Sequence, residues 1–233
     1  AIDHSQKEEI VEFDVGSIVL APGFEAFDPS RFDTYAYTSL PNVVTSLEFE
    51  RILSATGPFS GHLVRPSDHK EPKKIGWLQC VGSRDVHRGA RDYCSAVCCR
   101  VSLKQAKYVR EQHPDAKVYI IYKDLRSPAQ YERFYANVQE DPGIFLTKGE
   151  IASVAPDSDG QISIGVEETL LGEDIELKAD LVVLATGMVP MLSRLMSLMS
   201  NSRRERRESS NAMLSLPLPP QLLLPSSAGR PAP

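Results

Sequence analysis

The sequence predicts an α/β fold built around a parallel βαβ unit. The apolar run KIGWLQC (74–80) is followed by a polar loop, a helix-like stretch and a second apolar run, KVYIIY (117–122). The helix-breaking run His113-Pro114-Asp115 ends the helical stretch just before that second run. Such a strand–helix–strand pattern builds adjacent parallel strands with a right-handed crossover. We therefore expect the two apolar runs to pair in one sheet, with the helix packed on one face.

Two further apolar runs share a shape and predict buried strands. DVGSIVLAPGF (14–24) and KADLVVLATGMVP (178–190) each combine an acidic residue with aliphatic residues and a glycine turn. A helix is expected at SLEFERILSA (46–55), with Thr45 or Ser46 as its N-cap and Glu48 close behind. The remaining elements are predicted as a helix near AQYERFYANVQ and strands near IFLTKGEIASV and QISIGVEET.

Composition and charge exclude several classes of protein. The 233 residues are 42% hydrophobic and 24% charged, the ordinary balance of a soluble globular protein. A net charge of -5 argues against a nucleic-acid partner, which requires a basic face. Pro190 and Arg194 interrupt the apolar stretch near the end, so we expect no membrane span. The N-terminal residues do not resemble a signal peptide, and the expected location is cytoplasmic.

All four cysteines lie within twenty residues: Cys80 ends a predicted strand, and Cys94, Cys98 and Cys99 open the predicted helix. On that helix, Cys94 and Cys98 would lie one turn apart. The end of a parallel strand meets the start of the next helix, so Cys80 is expected beside them. Thiols at a helix N-terminus are expected to have lowered pKa values.

Four thiolates suit either one zinc ion or one [4Fe–4S] cluster. The paired spacing of zinc knuckles is absent, and the adjacent Cys98 and Cys99 would strain a small tetrahedral site. A wider cubane, whose iron corners stand further apart, accommodates them better. The pattern favours the cluster, while zinc, a redox dithiol formed by Cys98 and Cys99, and packed core cysteines remain open alternatives.

Three segments closely resemble the A-type subunit of heterodisulfide reductase and its relatives: PNVVTSLEFERILSATGP, GHLVRPSDHKEPKKIGWLQCVGSRD and YCSAVCCRVSLKQAKYVRE. Those relatives include flavoprotein subunits of the quinone-interacting membrane-bound oxidoreductase complex. The resemblance covers about residues 14–190. It implies a thioredoxin-reductase-like flavoprotein, in which a smaller pyridine-nucleotide-type domain is inserted into an FAD domain.

The resemblance also implies cofactors and the residues that hold them, although it assigns no catalytic residue. It makes the four cysteines ligands of an unusual [4Fe–4S] cluster close to FAD: Cys80, Cys94, Cys98 and Cys99. It assigns the flavin contacts to the two glycine turns: Gly23, Thr186, Gly187, Met188 and Pro190.

Four segments of different origin follow from this resemblance. Residues 1–40 are expected to be a remnant of FAD-domain strands, and 41–178 the inserted domain that carries the cysteines. Residues 179–199 would return to the FAD domain, and 200–233, rich in charge and proline, would be a disordered tail. The G-x-G-x-x-G fingerprint of the family is absent, so we expect a truncated fragment.

The implied function is electron transfer in an oxidoreductase subunit, between FAD, the cluster and partner subunits that carry iron–sulfur clusters. The truncated chain alone need not be active, and its complex can be associated with a membrane without a span in this chain. Two alternatives come from other classes. One is a zinc-stabilised structural or interaction module, and the other is a thioredoxin-reductase-like dithiol enzyme.

Overall fold

The computed structural model describes residues 5, 7–8, 11–17, 19–86 and 89–192. The chain divides into two compact units, of which one comprises residues 24–189 and the other residues 1–23 with 190–233. The described strands are β1 (Phe24–Ala26), β2 (Val43–Thr45), β3 (Lys74–Val81), β4 (Lys117–Tyr122), β5 (Ile144–Pro156), β6 (Ile162–Glu168), β7 (Glu173–Ala179), β8 (Leu181–Thr186) and β9 (Met188–Pro190). The α-helices are α1 (Ser46–Leu53), α2 (Cys98–Gln112) and α3 (Tyr131–Gln139).

A seven-stranded sheet in the order β2-β8-β3-β4-β5-β6-β7 organises the larger unit. β3 pairs in parallel with β4 from Lys74 opposite Lys117 to Leu78 opposite Ile121. β8 is parallel to both of its neighbours, β2 and β3. β6 and β7 extend the sheet as an antiparallel hairpin beyond β5. The predicted α/β class with a parallel βαβ core is confirmed.

The sheet is buried on both faces at its centre, because helices cover one side and the β6–β7 hairpin with neighbouring loops covers the other. All six residues of β8 are buried, which is typical of a central parallel strand. On the helix side, the Trp77 ring stands edge-on to Phe49 with 5.2 Å between the ring centroids. The indole of Trp77 donates to the buried Gln105 side-chain oxygen at 3.1 Å, so its polar atom is satisfied.

The predicted start of α1 is confirmed in detail. The Thr45 hydroxyl accepts from the Glu48 backbone N–H, and the Glu48 carboxylate accepts from the Thr45 backbone N–H at 2.7 Å. This reciprocal pair is a capping box, which satisfies two backbone donors at the helix start.

Helix α2 begins later than its sequence predicts. Cys94 lies in the preceding loop, and the helix starts at Cys98. Ala96 adopts a left-handed backbone conformation with φ 58°, which no α-helix can contain. The prediction that Cys94 and Cys98 lie one turn apart on a single helix is therefore wrong.

Two strand assignments also differ from the predictions. Of residues 14–24, predicted as a buried strand, only Phe24 belongs to a strand, and every described side chain in that range is exposed. A buried strand needs neighbours over its faces, and the described part of the chain provides none there. β7 was not predicted, because its alternating charged sequence EDIELKA belongs to a sheet edge that is largely open to water.

The domain interpretation stays a prediction, although the structure adds a fact to it. The segment expected to return to the FAD domain, 179–199, supplies β8, which lies between β2 and β3 in the sheet of the larger unit. The predicted tail, 200–233, lies outside the described residues. Among the described helices, none is long and apolar enough to cross a bilayer.

A buried ion pair fastens the C-terminal end of α2 to the turn before β5. Arg110 Nε donates to Asp141 Oδ1 at 2.8 Å, and both side chains are 13% exposed. The same carboxylate oxygen accepts from the Gly143 N–H at 2.9 Å. Burial opposes ionisation of Asp141, but the hydrogen bonds from Gly143 and Arg110 outweigh it and hold the pKa below its usual value.

We expect Asp141→Asn to lower the free energy of unfolding at pH 7 by about 2 kcal/mol, since it removes a charge-assisted hydrogen bond from a largely buried pair. A depressed folded-state pKa contributes stability above the unfolded-state pKa and loses it as the pH falls through the folded-state value. The difference between the two proteins should therefore shrink below roughly pH 4. Urea unfolding at several pH values measures it, with exposed Asp115→Asn as the matched control. An equal difference at pH 7 and pH 2 would contradict this account.

Candidate metal centre

Three parallel strands bring the cysteines to one end of the sheet. Cys80 is the penultimate residue of β3, and Cys98 and Cys99 open α2, which follows β3 in the chain. The Cys98 thiol donates to the Thr186 carbonyl, the last of β8, at 3.4 Å. The Cys99 thiol donates to the carbonyl of Asp124, just beyond β4, at 3.7 Å. All these contacts lie at the carboxyl ends of the strands, where parallel α/β sheets bind their ligands.

The loop that carries Cys80 is tightly curled. Cys80, Gly82 and Arg84 have φ values of 61°, 75° and 59°, and the β3–β8 register shifts between Leu78 and Val81. Left-handed backbone at residues other than glycine costs of order 1–3 kcal/mol each and is concentrated at functional sites. Cys80 and Arg84 are two such residues, and both lie in the same short loop at the candidate centre.

Burial raises the pKa values of three thiols instead of lowering them. It raises the pKa of Cys98 to about 11, with further contributions from repulsion by Cys99, Cys80 and Cys94. Burial likewise raises the pKa of Cys80, opposed by Arg84, and that of Cys99, opposed by a backbone N–H. The expectation of lowered pKa values at the helix N-terminus is wrong for Cys98 and Cys99, because desolvation outweighs the favourable field of the helix.

Arg84 is the cation beside Cys80, and the charge of Arg126 acts on Cys99. The charge of the nearby Arg84 side chain opposes the rise in the pKa of Cys80. Arg84 Nη2 donates to Asp124 Oδ2 at 2.6 Å. Its Nη1 is buried and has no hydrogen-bond partner among the residues that the structure describes. The hydrogen bond from Arg84 holds the pKa of Asp124 below its usual value, so the pair is ionic.

The four thiols are neighbours without meeting at one point. Cys80, Cys98 and Cys99 each feel the charge of at least one other cysteine, and Cys94 contributes to all three. Within the described part of the chain, however, no group of three or more His, Cys, Asp or Glu side chains is close enough to hold a single metal ion.

The loop between β3 and α2, which contains Cys94 and is called the cysteine loop below, is hydrogen-bonded to the turn between β8 and β9. That turn carries three predicted flavin contacts. The Met188 N–H donates to Ser95 Oγ at 2.7 Å, and the Tyr93 hydroxyl donates to the Met188 carbonyl at 3.0 Å. With the bond from Cys98 to Thr186, these contacts join the two predicted sites directly. The intervening Gly187 is buried, and its N–H donates to the Val81 carbonyl at 2.9 Å.

The other two predicted flavin contacts fall in the smaller unit. Gly23 has a φ of 81°, and its carbonyl accepts from the Met191 N–H at 3.1 Å. Pro190 ends β9 and is exposed.

Sequence reasoning missed two residues of the centre, Asp124 and Ser95. Asp124 follows β4 at the same end of the sheet as Cys80, so the rule that placed Cys80 could have found it. Ser95 lies in a loop whose path follows from tertiary contacts, and no pattern in the sequence marks it.

Curated relatives align with most of the chain, although no family model matches it. The second A-type iron-sulfur subunit of CoB–CoM heterodisulfide reductase from Methanopyrus kandleri is 44% identical over 192 residues, 82% of this chain and 29% of that protein. The corresponding iron-sulfur subunit from Methanocaldococcus jannaschii is 42% identical over 192 residues, with the same two coverages. The chain is homologous to a segment of the A-type heterodisulfide reductase subunit. The resemblance stated from the sequence is confirmed.

A third relative extends the same result. The A-type subunit of ferredoxin:CoB-CoM heterodisulfide reductase from Methanosarcina acetivorans is 40% identical over 216 residues, 82% of this chain and 27% of that protein. The chain thus spans less than a third of the length of these heterodisulfide reductase subunits. The relatives are oxidoreductase subunits, as the resemblance implied.

Two solved structures overlap with part of the chain. Thioredoxin reductase from T. acidophilum overlaps with a TM-score of 0.42 and 11% identity, covering 73% of this chain and 44% of that one. L-Lysine 6-monooxygenase from Pseudomonas syringae overlaps with a TM-score of 0.45 and 14% identity, covering 76% and 48%.

The absence of a side chain at Gly187 is a packing requirement that can be tested. A Cβ there would overlap Ser83 Oγ, and that hydroxyl is buried without a partner among the described residues. We expect Gly187→Ala to destabilise the chain by about 2 kcal/mol through overpacking. Ser83→Ala alone should be nearly neutral, and should recover more than about 1 kcal/mol in the double variant.

Thermal and urea unfolding of the four proteins complete the cycle. Simple additivity of the two substitutions would show that the contact between Gly187 and Ser83 does not determine the packing of this turn.

Proposed function

We propose that this chain forms the part of a heterodisulfide-reductase-A-like subunit that carries a [4Fe–4S] cluster beside FAD. Its function is to pass electrons between flavin, cluster and partner subunits. The observation that supports this most directly is the set of hydrogen bonds between the cysteine loop and the Thr186–Gly187–Met188 turn. These bonds hold the proposed cluster ligands against the proposed flavin contacts, and electron transfer requires such proximity.

The donor set fits a cluster. Cys80, Cys94, Cys98 and Cys99 would be the ligands, and four thiolates are the common ligand set of a [4Fe–4S] cubane. The adjacent Cys98 and Cys99 contact the ends of different strands, so the two thiols are not held against a single point. Desolvation raises the pKa values of Cys80 and Cys98, and the irons together with Arg84 would supply the positive charge that makes thiolates acceptable at these positions.

The residues of the chain have distinct roles in this proposal. When bound, the cluster supplies one-electron transfer and FAD supplies exchange between one- and two-electron steps. The protein holds the thiolates, limits access of water by burying Cys99, and positions a cation at Cys80. Backbone hydrogen bonds hold Gly187, and the side chains of Ser95 and Tyr93 hold Met188, so the flavin-facing turn is fixed before any cofactor binds.

FAD and the partner subunits belong to the whole protein. We propose Gly23, Thr186, Gly187, Met188 and Pro190 as its flavin contacts. The partners would be subunits that carry iron–sulfur clusters, since the relatives are named as subunits of heterodisulfide reductases, some with ferredoxin in the name.

A dithiol enzyme is the weaker alternative. Cys98 and Cys99 bond to carbonyls at the ends of different strands, β8 and β4, so their thiols face apart. A disulfide requires its two Cβ atoms to point toward each other. The zinc-bound module remains the alternative that the metal analysis below distinguishes.

Anaerobic reconstitution of the 233-residue chain should yield about four irons and four sulfides per chain, with a brown colour. Cys98→Ser and Cys99→Ser should each lose most of that iron, because a cubane with three thiolates is less stable. Iron and sulfide assays with absorption spectra measure this, and Ser153→Ala on the exposed side of β5 serves as the control. One zinc per chain and no iron would overturn the electron-transfer proposal and support the structural module.

The chain should bind FAD weakly, because its sequence contains no G-x-G-x-x-G loop to hold the pyrophosphate. Equilibrium dialysis against FAD should show no saturation at micromolar flavin. Tightly held, stoichiometric yellow flavin in the purified chain would contradict this expectation.

A further inference from the structure

Arg84 and Asp124 form an ion pair that reaches two of the four cysteines. Arg84 bonds Asp124 at 2.6 Å and its charge acts on Cys80, while the backbone carbonyl of Asp124 accepts from the Cys99 thiol. The two residues come from different loops, after β3 and after β4, and meet because those strands are parallel neighbours.

We propose that Arg84 sets the reduction potential of the cluster and that Asp124 is the positioning residue that holds Arg84 against Cys80. This inference rests on the proposed function, since it assumes that the four cysteines bind a cluster. It assigns a role to two residues that are not ligands.

The shielding of Arg84 distinguishes this ion pair from an ordinary surface pair. Exposed pairs contribute little, because water screens both charges. The Arg84 side chain is only 20% exposed, although Asp124 is 49% exposed, so the cation is the better shielded partner. Its backbone is held in a left-handed conformation at φ 59°, and its Nη1 is buried without a partner among the described residues. The guanidinium therefore keeps an unused, buried donor.

The sign of the effect follows from charge. A cubane with four thiolates is an anion that gains one more negative charge on reduction. A fixed cation and its N–H donors stabilise the reduced form more than the oxidised form, which raises the potential. Removing the guanidinium should make the cluster harder to reduce.

The test uses the full chain, reconstituted anaerobically and titrated with dithionite while electron paramagnetic resonance reports the reduced cluster. Arg84→Gln should reduce the equilibrium constant for one-electron reduction at least tenfold, a fall of about 59 mV. Arg84→Lys keeps the charge and should recover most of that loss. The matched control is Arg65→Gln, which breaks an arginine–aspartate pair with Asp68 and lies before β3, at the opposite end of the sheet.

Asp124 is tested by its coupling to Arg84. Asp124→Asn removes a negative charge near the cluster, which raises the potential directly, and it also releases Arg84, which lowers it. In an Arg84→Gln background the effect that acts through Arg84 is absent, whereas the loss of the Lys148–Asp124 ion pair is common to both backgrounds. We therefore expect Asp124→Asn to raise the potential more in that background than in the wild-type chain.

The outcomes separate this inference from the proposed function. Wild-type chain that takes up no iron–sulfur cluster would refute the proposed function itself. A wild-type chain that carries the cluster, with Arg84→Gln unchanged in potential and equal to Arg65→Gln, would refute the role of Arg84 alone. Additive effects of the two substitutions would refute the positioning role of Asp124.

Discussion

The parallel pairing of β3 with β4 and β8 is the constraint on which the candidate centre depends. Parallel strands all end at the same edge of a sheet, so residues that are far apart in sequence meet there. Cys80 follows from the end of β3, Asp124 from the end of β4 and Thr186 from the end of β8. An antiparallel β4 would place Asp124 at the opposite edge and leave both Arg84 and the Cys99 thiol without their observed partners.

Features that depend on local sequence could be predicted, whereas features that depend on contacts between distant residues could not. The βαβ unit is local and strongly patterned, so its strands, the stop at His113 and the position of Cys80 follow from the sequence. The helix N-terminus was misplaced because Ala96 adopts a left-handed conformation that alanine rarely favours, and only tertiary contacts can impose it. In the loop before α2, the bond from the Met188 N–H to Ser95 Oγ is one such contact, and it spans more than ninety residues of sequence.

The thiol pKa values show where a rule based on one element fails. A helix N-terminus favours a thiolate, and the sequence marks Cys98 and Cys99 as N-terminal. Burial depends on the whole fold, and it reverses the sign by raising the pKa of Cys98 to about 11. The ligand-free Cys98 thiol is therefore protonated at neutral pH. Any metal that binds there must displace those protons, and its charge must replace the stabilisation that the buried thiolates lack.

The adjacent cysteines give the proposed cluster two different surroundings. The Cys98 thiol contacts the end of β8, on the side of the flavin turn, while the Cys99 thiol contacts the carbonyl of Asp124, on the side of the ion pair. Because consecutive residues of a helix point about 100° apart, one dipeptide can supply ligands to both sides without a second loop. On this proposal, the Cys98 side adjoins the flavin and the Cys99 side adjoins the charged pair that adjusts the potential. A spacing of two or three residues between the cysteines would place both thiols closer to one face and lose that division.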